Sequence, residues 1–184
     1  MSLKLVHSSA DGGLLVMVAL TAQGTRRCGA CVAEVVQAGD IVLLSGELGA
    51  GKTTFAQGLA HALGVDGPVT SPTFVLLHSY ATKRGWDLLH ADVWRLQQLQ
   101  EVVELAVPEL VEQGAAAVME WGERAAGALP ADCLHVTVSF ERPGAGSNVL
   151  GAGGARRLEL RAAGPSWQPR LGELARLAKE AAVP

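Results

Sequence analysis

The stretch "IVLLSGELGAGKTTFAQGLAHALG" (41–64) restricts this chain more than any other, because it joins an apolar run, a glycine loop and a helical pattern without a spacer. Gly46, Gly51, Lys52 and Thr53 fit G-x-x-x-x-G-K-[ST]. Glycines let the backbone curl until the N–H groups of Gly46, Glu47, Leu48, Gly49, Ala50, Gly51, Lys52, Thr53 and Thr54 can converge on phosphate oxygens. The helix that follows points its positive N-terminus at the same place. Lys52 supplies a charge to the terminal phosphates, and the Thr53 hydroxyl can ligate Mg²⁺.

The run before the loop is apolar at every position, as in a strand buried on both faces of a parallel sheet. "LLVMVAL" (14–20) reads as another strand, and Thr21 can cap the helix "AQGTRRCGACVAEVVQ". "SPTFVLLHSY" (71–80) begins as a loop, becomes a strand and pairs as a hairpin with "WDLLHADVW" (86–94). "LQQLQEVVELAVPELVEQG" holds two short helices parted at Pro108, and "AAAVMEW" (115–121) is a further buried strand. "CLHVTVSFE" and "RRLELRA" alternate and should pair antiparallel, and a helix over about 171–182 closes the chain. The expected fold is α/β: a single P-loop NTPase-like domain over 1–184, with a mixed, largely parallel central sheet flanked by helices. Residues 1–13 and the Gly-rich 142–155 are expected to be flexible.

Composition narrows the partners. A net charge of −3 offers no electrostatic footprint for gripping nucleic acid unaided. No apolar stretch approaches the roughly 20 residues of a spanning helix. Three cysteines are an odd, sparse set that suits a reducing, cytoplasmic compartment. "CGAC" (28–31) falls inside a helical pattern and lacks a second pair, so Cys28 and Cys31 read as small apolar helix residues rather than a redox or zinc motif.

A phosphate loop also needs an acid across from it, at the end of a neighbouring strand, to hold the magnesium shell. Asp92 in "LLHAD" and Glu120 in "AAAVME" both qualify. Glu120 has the longer apolar lead-in and the better claim to the strand beside the loop, while Asp92 could orient the attacking water. A guanine-reading N-K-x-D loop is excluded, since the one asparagine, Asn148, is followed by Val149. ATP is favoured by elimination, its adenine held by segments flanking the loop, including the turn near Thr21.

Four motifs in order, "GELGAGKTTF", "SPTF", "HADVWR" and "MEWGE", resemble the bacterial TsaE (YjeE) family over about residues 21 to 142. That family consists of P-loop ATPases required for making N6-threonylcarbamoyladenosine (t6A) in tRNA. The resemblance implies that Thr53 and Glu120 bind Mg²⁺ and that Asp92 is the essential acid of an H-x-D-x-[YW]-R segment. "SPTF" would be a switch loop near the γ-phosphate, with Ser71 and Thr73 as its polar contacts. Trp121 matches the family's E-W pair, either as a nucleotide contact or as an aromatic covering the sheet edge. Arg95 could balance Asp92, reach phosphate or form a structural ion pair; Arg156 and Arg157 fall where a basic residue is common.

The resemblance further implies that the chain joins TsaB and TsaD, with TsaD transferring the group and tRNA contacted mainly through these partners. The ATPase would then be weak alone and partner-dependent. A small-molecule kinase is the rival reading, opposed by the scattering of Arg84, Arg95 and Arg124 where a lid would need a cluster. A nucleotide-binding module without hydrolysis is a third.

Overall fold

The computed structural model describes residues 3–9, 13–72, 74–125, 127–141 and 154–181. The strands are β1 (Leu3–Ser8), β2 (Leu14–Ala19), β3 (Ile41–Ser45), β4 (Leu77–Ala81), β5 (Asp87–Asp92), β6 (Ala116–Glu120), β7 (Cys133–Phe140) and β8 (Arg156–Ala163). The helices are α1 (Ala22–Ala33), α2 (Lys52–Ala62), α3 (Leu99–Val103), α4 (Val107–Glu112) and α5 (Trp167–Ala181), with a 3₁₀ turn at Gly122–Arg124. All eight strands form one sheet in the order β1-β2-β8-β7-β3-β6-β5-β4. Its centre, β7-β3-β6-β5, is parallel, and its flanks are antiparallel.

This mixture explains the two sequence textures. β3 sends Val42 and Leu44 into a core under α1, α2 and α5, and Ile41 and Leu43 into a second core under α3 and α4. A strand covered on both faces has no polar position to spare. Each large side chain so buried, Phe55 of α2 among them, contributes about 1.5–3 kcal/mol. On the antiparallel flank β8 alternates instead, with Leu158 and Leu160 buried while Arg157, Glu159 and Arg161 form an outward ladder.

The helices begin and end for local reasons. The Thr21 hydroxyl accepts the Gly24 N–H at 3.2 Å, capping α1 as its sequence suggests. The gap between α3 and α4 falls at Ala106, which sits at φ 51°, and Pro108 lies inside the first turn of α4. Proline is tolerated there because the first-turn N–H groups have no intrahelical partner. α5 starts at Trp167, earlier than the amphipathic pattern indicated, because Trp167 is wholly buried and extends the apolar face.

α1 and α2 cross in backbone contact. A Cβ on Gly29 would lie 2.2 Å from the Phe55 carbonyl oxygen, and one on Gly58 would lie 2.0 Å from that of Arg26. Cys28 and Cys31 are buried within α1; burial pushes both thiols up, aided for Cys28 by Cys31 and for Cys31 by Glu34. Leu3–Ser8, placed by the sequence in a flexible leader, instead pair with β2 as the edge strand. The Gly-rich expectation at 142–155 falls almost entirely outside the described residues.

Candidate functional site

Three parallel strands deliver the site at their carboxyl ends. β3 runs into the glycine loop, Glu120 at the end of β6 pairs with Leu44, and Asp92 at the end of β5 pairs with Glu120. Side chains two apart share a sheet face. Asp92 and Glu120 therefore follow Leu88 and Val118 toward the α1–α2 side, where the loop helix begins. Both carboxylates are almost wholly buried, at 4% and 3% exposure. Open α/β sheets bind ligands at this end of their strands.

The loop is shaped by its own residues. Gly46 has φ +132°, and a Cβ there would lie 2.0 Å from the Val138 carbonyl oxygen, so both conformation and space demand glycine. The Lys52 ammonium folds back to donate to the carbonyls of Gly46 (2.7 Å) and Glu47 (3.0 Å). It also lies 3.6 Å from the centroid of the Trp121 ring, a cation–π contact. Burial lowers the Lys52 pKa, an effect opposed by the carboxylates of Glu120, Glu123 and Asp92. Arg156 of β8 reaches the loop from outside, donating to the Ala50 carbonyl at 2.7 Å and that of Gly49 at 3.3 Å.

Both acids are held in defined orientations. The Thr53 hydroxyl donates to Glu120 Oε2 at 2.9 Å, and His90 Nε2 lies 2.9 Å from Glu120 Oε1. Ser71 Oγ donates to Asp92 Oδ2 at 2.9 Å, and the Trp94 N–H to Oδ1 at 3.0 Å. Trp121 sits at φ 62°, which turns its ring over Lys52 and against Trp94, with ring centroids 4.2 Å apart. Arg124 completes the stack on Trp94 and donates to the Trp94 carbonyl at 3.0 Å.

These groups line a cleft of about 330 Å³ that brings together Leu48, Gly49, Gly51, Lys52, Thr53, Thr54, Ser71, Asp92, Glu120 and Trp121. Gly46, Glu47 and Ala50 support the cleft through the carbonyl contacts above. Thr21 caps α1 and is not among the lining residues. Thr73 lies outside the described residues. Arg95 lines the cleft and stacks on the exposed Phe74 ring, 4.5 Å from its centroid. Arg157 pairs with Glu159 on β8.

The sequence reading quoted His90 and Trp94 within the H-x-D-x-[YW]-R segment but gave neither a role. Each had a signal: His90 precedes Asp92 by two positions on one strand face, and Trp94 follows it by two. The donor set is all oxygen near the loop, a hydroxyl beside a carboxylate, which fits Mg²⁺, a cation usually held by one or two protein oxygens plus phosphates and water. The arrangement can place an ammonium, backbone amides and a hard cation around a polyphosphate, with a second fixed carboxylate beside them.

Comparison with known proteins gives a consistent answer. The family described as "Threonylcarbamoyl adenosine biosynthesis protein TsaE" matches residues 20–146. A "tRNA threonylcarbamoyladenosine biosynthesis protein TsaE" of Treponema pallidum is 42% identical over 123 residues, 67% of this chain and 88% of that protein. Its namesake in Streptomyces coelicolor is 42% identical over 115 residues, 61% of this chain and 77% of the relative. The one in Mycobacterium tuberculosis is 41% identical over 128 residues, 65% and 74% of the two chains. The crystal structure of YdiB from Bacillus subtilis shares the fold, with a TM-score of 0.67 over 91% of this chain and 95% of that one, at 23% identity. A loop, two strand-end acids and a stretch of matching sequence that contains them all place this chain in the TsaE family.

Proposed function

We propose that this chain binds ATP with Mg²⁺ and hydrolyses it to support t6A formation in tRNA, acting in the cytoplasm as the energy-supplying partner of TsaB and TsaD. The observation that carries the reading is the convergence of Lys52, the Thr53–Glu120 pair and Asp92 in one cleft of a TsaE-family chain. Lys52 exchanges its present acceptors, the Gly46 and Glu47 carbonyls, for phosphate oxygens. Thr53 and Glu120 are the residues that would hold the cation, which when bound neutralises phosphate charge. Asp92, fixed by Ser71 and the Trp94 amide, is placed to orient the attacking water.

Partner dependence has its own support. Leu48, Phe74 and Val75 are 77%, 83% and 63% exposed, an unusual cost for apolar side chains beside a polar cleft unless another protein covers them. The chain's acidic balance leaves tRNA contact mainly to TsaB and TsaD. In that assembly TsaD performs the transfer and this chain resets or drives it. The test is t6A turnover with purified partners and tRNA. Lys52→Ala is expected to lower sustained turnover about 100- to 1,000-fold, the usual effect of removing one donor to a reacting phosphate or oxyanion. Undiminished multiple turnover with that variant would end the reading.

A further inference from the structure

His90 is wholly buried, yet only one of its ring nitrogens has a hydrogen-bond partner. Nε2 meets Glu120 Oε1 at 2.9 Å, while Nδ1 has none among the described residues. An orphaned polar atom in a dry place is costly, and a native fold that keeps one calls for a reason. Packing does not supply it: Leu88, two residues earlier on the same face of β5, fills its place with carbon alone. The reason lies across the sheet. His90 pairs in register with Val118, so its ring reaches diagonally along β6 to Glu120.

A carboxylate only accepts, so the proton of this contact sits on Nε2. We propose that His90 is a positioning residue that holds Glu120 for the magnesium ion. By engaging Oε1 it fixes the carboxylate plane and leaves Oε2 facing Thr53 and the phosphate loop. Asp92 comes from the same strand face two residues on, so one short segment of β5 braces one acid and supplies the other. The proposal rests on reading Glu120 as a cation-holding residue. Outer partners of metal-holding side chains typically carry a 10- to 100-fold share of metal affinity.

The test uses the full chain with ATP and Mn²⁺, the bound ion counted by electron paramagnetic resonance. ATP affinity in EDTA and thermal melting are measured alongside. His90→Gln keeps an amide donor at the reach of Nε2; His90→Asn keeps the polarity but is too short; His90→Leu removes both. Asn and Leu are expected to weaken Mn²⁺ binding about 10- to 100-fold, with EDTA affinity within about twofold of the parent and Gln restoring most of the loss. Equal Mn²⁺ affinity in Gln, Asn and parent overturns the proposal, even should Leu fail to fold. So does a loss in Gln as large as in Asn with both folded. Glu120→Gln separates the two readings: if it abolishes Mn²⁺ binding while the His90 variants do not, only the role of His90 falls. If Glu120→Gln leaves Mn²⁺ binding intact, the assignment of Glu120 falls and takes the role of His90 with it.

Discussion

The two walls of the cleft are built to opposite standards. On one side the loop 46–54 packs tightly on β7 at Gly46, is tied inward by Lys52, held from outside by Arg156 and followed by a helix packed directly on α1, and exposes only Leu48 among its apolar side chains. On the other, the segment after Ser71 carries Phe74 and Val75 out into solvent, and Arg95 lies across the Phe74 ring. Leu76 even takes φ 70°, a conformation rare for a branched residue. A preorganised wall loses little freedom when phosphate arrives. An exposed apolar wall has surface still to bury. Under the proposed function the contrast separates affinity from control: the first wall would hold the nucleotide, and the second would respond to what covers it.

Three measurements would break or sharpen that division. Gly46→Ala should have the largest effect, because it combines a positive-φ conformation, about 1–3 kcal/mol, with a backbone clash, about 1–3 kcal/mol more. Denaturant unfolding should show that loss, and ATP binding should fail with it; a stable variant that still binds ATP would mean the first wall is not rigid. Phe74→Ser comes next. Intrinsic stability should stay within about 0.5 kcal/mol of the parent, while affinity for a TsaB–TsaD complex drops by at least about fivefold, the mark of an interface anchor. Unchanged partner affinity would make the second wall mere surface.

The smallest effect is with pH. Burial lowers the Lys52 pKa in the folded chain, so the charged form is the disfavoured one there. That cost is fully present below the folded pKa and disappears as pH rises from it toward the ordinary lysine value of 10.5. The ligand-free chain should gain slightly in stability through this window, relative to Lys52→Met, while ATP affinity declines as the ammonium is lost. Melting curves and ATP titrations across the same pH series check the two opposite signs.

The first wall was largely legible in the sequence and the second was not. A strand, four fixed residues and a helix form a local unit, so the loop declares itself within 24 residues. Asp92 and Glu120 were readable because apolar runs that end in an acid are conspicuous, and the register places them side by side. Arg156 could not be given a role, since its partner is a backbone carbonyl 106 residues away that leaves no trace in residue type. Trp121 left two readings open because nothing in an E-W pair announces a left-handed backbone that swings the indole over Lys52. β1 escaped notice because an edge strand with Lys4, His7 and Ser8 lacks the apolar continuity of the centre.

The glycine crossing of α1 and α2 has a mechanical consequence. Where Gly29 meets the Phe55 carbonyl and Gly58 meets that of Arg26, no compressible layer of side chains separates the two rods. A displacement of α2 at its loop end should therefore carry α1 with it. A groove of about 640 Å³ lies between them and the 67–70 turn, whose Val69 carbonyl accepts from the Gln57 side-chain amide of α2 at 2.9 Å. Through that bond a shift of the paired helices reaches the turn and, two residues on, Ser71, whose hydroxyl holds Asp92.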